Sequence, residues 1–320
     1  MKTMKWLLRR EYWEHKGSLF IAPLAVAGIM LALSIASLAS FTITVGPEEN
    51  VKAAEVLRVY QSLSPQKQEA ALGFLSNLYM GFGLPILLVM AFTVFMFCVN
   101  SLFDERRDRS ILFWKSLPIS DSATVLSKAA MALVLAPVFA FIVSAITALL
   151  QVLIFACFTA IEGASVFGLV FSTPRFFMAP IYVLTLLPVY ALWALPTVGW
   201  LLLVSSWARG KALVWAVGVP LLAGMIASWS EKAMNIGWDA SWFWENIVAR
   251  GLLGLLPGLW LKVGGLHASD MMAPAHYPDL ALLVSRSWST LLQPQVWIGA
   301  AVGAAMIYGA IRLRGSKEED

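Results

Sequence analysis

The sequence predicts an all-α integral membrane protein. It has six transmembrane helices, an N-terminal amphipathic elbow helix, and a re-entrant helix before the last span. Three observations predict this fold. The 320 residues are 59% hydrophobic and only 13% charged, with mean hydropathy +0.76, against the ~25% charge of soluble domains. Several apolar runs approach the ~20 residues needed to cross a bilayer. Lys and Arg are unevenly divided between alternate connections. The chain reads as one membrane domain over 1–320, with no room for a soluble catalytic domain.

Residues 2–16 set Lys2, Lys5, Arg9, Arg10 and Lys16 among Trp6, Leu7, Leu8, Tyr12 and Trp13. Met4, Leu8 and Tyr12 recur at helical spacing. This is the pattern of an amphipathic helix in the headgroup layer, its basic residues toward anionic lipid. Glu11, Glu14 and the length of the following apolar run argue against a cleaved secretory signal. The first span covers 19–41, with a small-residue stripe at Ala32, Ala36 and Ser40. Residues 42–78 are polar and expected to be helical, with Pro47 and Ser64-Pro65 as helix starts. Spans two and three cover 79–103 and 129–159. Span four covers 179–206, where Pro180, Pro188 and Pro196 predict bending. Spans five and six cover 213–229 and 296–312. Gly299-x-x-x-Gly303 in span six and Ala32-x-x-x-Ala36 in span one are candidate faces for a dimer, although packing within the chain is the simpler reading of either.

The outer stretch 230–295 is ambiguous. Its apolar piece 251–261 is flanked by Arg250 and Lys262 and interrupted by Pro257, which reads as a re-entrant or interfacial helix. A seventh span is the competing reading. Trp229, Trp238, Trp242 and Trp244 are expected to form an aromatic belt. Fifteen of the 23 Lys and Arg fall on one side of this arrangement, in 1–18, 104–128, 207–212 and the tail from Arg312. The positive-inside rule makes that side, with both termini, cytosolic.

The net charge of +4 gives no reason to expect nucleic acid as a partner. Cys98 and Cys157 lie in apolar spans without metal-ligand spacing. No P-loop, His-Glu-x-x-His or Gly-x-Ser-x-Gly motif occurs. The spans carry no acidic cluster of the kind that drives proton-coupled transport. Asn100 and Gln151 are the polar candidates for lining a substrate path, although for Gln151 a helix–helix hydrogen bond is the simpler reading. The chain thus carries no visible energy source of its own.

The segment 104–128 is the most informative. A solvated basic loop accounts for Arg106, Arg107 and Arg109. It does not account for Ile111-Leu112-Phe113-Trp114. A short amphipathic helix whose aromatic tip docks in a partner's groove accounts for both. Glu105 and Arg109 form an i,i+4 pair. Leu117-Pro118 ends that piece, and Ser120 or Asp121 caps the next helix.

At these residues the chain resembles the ABC-2-type permeases, the membrane subunits of many bacterial ABC exporters. Their segment between spans two and three carries Glu-Arg, an apolar stretch, a Leu-Pro pair, a Ser or Asp cap and a following Lys. Glu105-Arg106, Ile111-Leu112, Leu117-Pro118, Ser120 and Lys128 match that pattern. Arg9-Arg10-Glu11 resembles the family's elbow. Motif-level matching is confined to the first 130 residues, and the outer connection before span six is longer than in the simplest members.

The resemblance implies a multi-pass exporter subunit of the bacterial inner membrane that is not itself an enzyme. Its implied partners are two copies of an ABC ATPase, a second permease copy or a related permease, and membrane lipids. It implies no cofactor in this chain; ATP and Mg belong to the ATPase. The ATPase-coupling residues are then Glu105, Arg106, Arg109, Ile111, Phe113, Trp114, Leu117 and Pro118. Arg209 and Lys211 form a secondary cytosolic contact, and Arg9, Arg10 and Glu11 form the elbow. A membrane-embedded enzyme or scaffold acting on lipid-linked substrates is the alternative.

Overall fold

The computed structural model describes residues 2–39, 43–44, 50–51, 53–108, 119–161, 166–234, 239–263, 265 and 280–316. Among them, six helices are long and apolar enough to cross a membrane: Thr3–Leu38, Leu84–Arg107, Asp121–Ile161, Arg175–Trp207, Ala212–Ala233 and Pro294–Gly315. Spans one to six below refer to these. The elbow, the two flanks of the 108–120 connection at Arg107 and Ser120, the 208–211 turn and the end of span six lie on one side, called here the terminal side.

The elbow helix Lys2–Lys16 continues through a π-helical turn, Gly17–Ile21, into Ala22–Ala39. The Tyr12 and Phe20 rings meet edge to face with centroids 4.8 Å apart. Eight residues of straight helix rise about 12 Å, so the chain bends between them. A π-helical turn is a usual place for such a bend.

Helix limits differ from expectation where polar or glycine-rich residues intervene. Span two starts at Leu84 because Phe82 and Gly83 form a turn after the preceding helix, Pro65–Gly81. It runs on to Arg107, so Glu105 and Arg106 belong to its last turn and not to a loop. Span three begins at Asp121, which places Lys128 inside the helix. Ser120 is its N-cap; the hydroxyl accepts from the Ala123 amide at 3.3 Å. Span four is broken at Leu186 into Arg175–Thr185 and Leu187–Trp207, with Pro188 starting the second piece. Pro180 and Pro196 stay within helices.

The 42–78 region is not helical throughout. Ile43–Thr44 and Asn50–Val51 pair as short antiparallel strands, in keeping with their β-branched residues, before helices Ala53–Ser62 and Pro65–Gly81. Pro47 lies outside the described residues. Of the expected aromatic belt, Trp229 and Trp242 are exposed. Trp244 instead packs on Gly224 and donates its indole N–H to Ser228 at 2.8 Å. Trp238 is outside the described residues.

Span four is the centre of the bundle. It packs most closely against span six, where a Cβ on Gly303 would lie 2.7 Å from the Leu195 carbonyl carbon. Glycine permits this approach of backbones. The Gly299-x-x-x-Gly303 face, a candidate for contact between protomers, is therefore filled within the chain. Ala32 and Ala36 of span one remain exposed. Gln151 of span three donates to the Met30 carbonyl of span one at 3.3 Å.

The segment after span five enters the bundle and turns back. Ala240–Phe243, Trp244–Ala249 and Arg250–Leu253 form one helical run. The Arg250 carbonyl accepts from Thr197 at 2.6 Å, deep along span four. Further on, the Leu255 carbonyl accepts from Tyr190 at 3.2 Å, and the Trp260 ring lies 6.4 Å from the Tyr190 ring. The contacts thus retreat from residue 197 to residue 190, toward the start of Leu187–Trp207. The reversal passes through Gly258, whose φ of 86° favours glycine. This is a re-entrant hairpin, and not a seventh span. An unforeseen helix, Leu280–Ser289, covers it, with Ser287 accepting from the Trp260 indole at 3.0 Å.

Candidate functional site

The terminal side holds a buried ion network that joins four segments distant in sequence. The pattern of the elbow explains its first member. Leu7 and Glu11 are one helical turn apart and both face inward, at 1% and 0% exposure. A buried carboxylate requires a cation and further hydrogen bonds. Lys128 supplies both, its Nζ lying 3.0 and 3.2 Å from the two Glu11 carboxylate oxygens. Lys128 is itself 1% exposed, and its Nζ is also 3.1 Å from Glu105 Oε1.

Glu105 is the hub. Besides Lys128, it receives Arg10 Nη2 at 3.2 Å on Oε1 and Arg314 Nη1 at 2.6 Å on Oε2. Arg314 reaches on to Asp121 Oδ1 with its Nε at 2.8 Å. Three cations, Arg10, Lys128 and Arg314, thus meet three inward carboxylates, Glu11, Glu105 and Asp121. The balance matters because an unmatched charge in such a site carries a penalty of several kcal/mol. Glu14, more exposed, closes the rim on Arg10 at 2.9 Å.

The network joins the elbow, the last turn of span two, the first turns of span three and the end of span six. Asp121 and Glu105 flank the connection 108–120 on either side. Arg106 adds a separate tie. Its guanidinium donates to the carbonyls of Ser205 and Ala208 at 2.5 and 3.0 Å, at the end of span four. Those carbonyls have no intrahelical partner at a helix C-terminus, and a basic side chain there satisfies them. Arg209 and Lys211 on the neighbouring turn are exposed, with Lys211 at a φ of 47°.

The sequence-predicted site residues are therefore divided. Glu105 is buried and Arg106 half-buried, and both make contacts inside the bundle. Glu105 takes Lys128, Arg314 and Arg10 as its cations. Arg109, its expected i,i+4 partner, and Ile111, Phe113, Trp114, Leu117 and Pro118 lie outside the described residues. In the elbow, Arg9 is exposed while Arg10 and Glu11 turn inward. Gln151 is buried against span one, and Asn100 is exposed on span two. Sequence reasoning missed Arg314 and Asp121 as members, and the inward orientation of Glu11. A carboxylate on the same helical face as Leu7 was the available signal.

Glu11, Glu14 and His15 place ligand-type atoms within 4.8 Å of one another. The Lys128 ammonium already occupies both Glu11 oxygens, so the chemistry is that of an ion pair. The arrangement binds helices together.

A further buried cation lies toward the opposite side. Arg250 is 6% exposed and stacks over Trp193 at 4.4 Å, donating to the Gln295 and Val296 carbonyls at 2.7 and 3.3 Å. It clamps the re-entrant hairpin to the first turn of span six. Near the mouth of that hairpin Asp239 caps its helix. Hydrogen bonds from the Ser241 hydroxyl and the Trp242 amide hold its carboxyl below the usual pKa. No family model matches the chain, and no curated protein or solved structure does either.

Proposed function

We propose that this chain is the membrane subunit of an ATP-driven exporter whose ATPase is a separate protein. One observation carries the reading: the buried network grips both flanks of the 108–120 connection and ties them to the elbow and span six. A push on that connection is then shared by four segments, since a change in one requires all the ion pairs to move or break together. Coupling needs such a contact between the partner's docking point and the spans. The docking point in this reading is Ile111-Leu112-Phe113-Trp114, with Arg209 and Lys211 beside it. The partner supplies ATP and Mg, and the terminal side faces it in the cytosol of a bacterium.

The experiment is an affinity purification of the tagged chain from its native membrane, followed by Mg-ATP hydrolysis of the eluate. The expected result is a co-purifying ATPase. Replacing Phe113 and Trp114 together by Ala is expected to remove that subunit or its stimulation while membrane insertion persists. Unchanged recovery and hydrolysis in the double variant contradicts the docking assignment.

A further inference from the structure

We propose that the inner angle of the elbow is a binding site for an anionic glycerophospholipid. The bend at Gly17–Ile21 leaves a cavity of about 570 Å³ between the elbow helix and span three. Met4, Leu8 and Tyr12 form one wall, spaced four residues apart and so aligned on one helical face. Leu135, exposed beside the buried Met131, forms the facing wall in the π-helical turn of span three, and Phe20 closes the bend. Such a slot is lined mostly by apolar groups, as suits an acyl chain.

Lys5 and Arg9 also line it, and both are exposed. Each follows a residue of the apolar stripe, so the two cations stand in a row beside the slot. Neither forms an ion pair among the described residues, whereas Arg10, one position on, is turned inward and paired. Two exposed cations beside an apolar slot complement a phosphate joined to acyl chains. Its span-three residues, Met131 and Leu135, follow Lys128, the last charged residue before the apolar run of that span, which is where a headgroup meets the hydrocarbon. A second copy of this chain seated there through the same face would bring the same cations and repel.

The test uses the full-length protein in neutral detergent, with bound lipid counted by native mass spectrometry. The probes are phosphatidylglycerol and phosphatidylcholine with identical chains. At ~1 kcal/mol for each cation near a headgroup, phosphatidylglycerol is expected to bind roughly 30-fold more tightly. Lys5→Gln with Arg9→Gln is expected to erase that preference while weak binding of both lipids remains. Leu135→Trp fills the slot and is expected to displace both. The double Gln variant changes only exposed groups, so its fold, checked by circular dichroism, is a control against misfolding. Equal binding of the two lipids by the unaltered chain overturns the proposal, as does a preference that survives the double variant. A lipid-free dimer cross-linked between Cys replacements of Leu8 and Leu135 assigns the slot to a second copy and overturns it too. Displacement of bound phosphatidylglycerol by glycerol phosphate alone reduces the site to a phosphate site and also overturns it.

Discussion

Lys128→Met is the sharpest perturbation of the buried network. The ammonium lies 3.0 Å from Glu11 and 3.1 Å from Glu105. Met keeps most of the volume and removes the charge. Glu105 retains Arg10 and Arg314. Glu11, fully buried, keeps only the His15 ring, at 3.8 Å, among the ion pairs of the described residues. Removing one partner of a buried pair costs about 3 to 5 kcal/mol, because the remaining charge is left uncompensated. Glu11→Leu combined with Lys128→Met removes both charges and is expected to recover most of that loss. The assay is equilibrium denaturation of the purified chain in mixed micelles, as a double-mutant cycle. A single Lys128→Met variant within about 0.5 kcal/mol of the unaltered protein refutes the reasoning. So does a double variant no more stable than the single.

Further outcomes follow from the packing. Gly303→Ala places a methyl 2.7 Å from the Leu195 backbone and is expected to destabilise by about 1 to 3 kcal/mol, seen in the same denaturation assay. Arg250→Ala removes the clamp on span six, so a Cys at Leu255, now 2% exposed, is expected to gain reactivity toward a maleimide. Gly299→Ala is expected to reproduce that gain, since its methyl runs into the Arg250 guanidinium; unchanged labelling in both variants argues against the clamp. Arg106→Ala leaves the Ser205 and Ala208 carbonyls without their donor, and faster hydrogen exchange at the end of span four is the expected readout.

The spans were legible because hydropathy is a property of local sequence. The elbow, the Ser120 cap and the re-entrant segment were legible from local spacing as well. The limits of the spans were not. By charge, Asp104 to Arg107 read as part of a separate element after span two, yet they continue that span because partners elsewhere satisfy Glu105 and Arg106. Those partners are far away in sequence: Glu105 and Arg314 are 209 residues apart, and Lys128 and Glu11 are 117. No spacing rule reaches that far. The Gly299-x-x-x-Gly303 motif correctly announced close helix packing but gave no sign that span four was its partner. The basic elbow obscured its one informative residue, the inward Glu11.

The central claim is that the elbow, the flanks of the 108–120 connection and span six move as one body. Spin labels at Trp6 in the elbow and Arg312 in span six, in the assembly recovered from native membranes, measure this directly. Pulsed electron resonance with and without Mg-ATP is expected to give one unchanged distance distribution, while labels at Trp6 and Trp229 of span five give two. A Trp6–Arg312 distance that shifts with nucleotide contradicts the account.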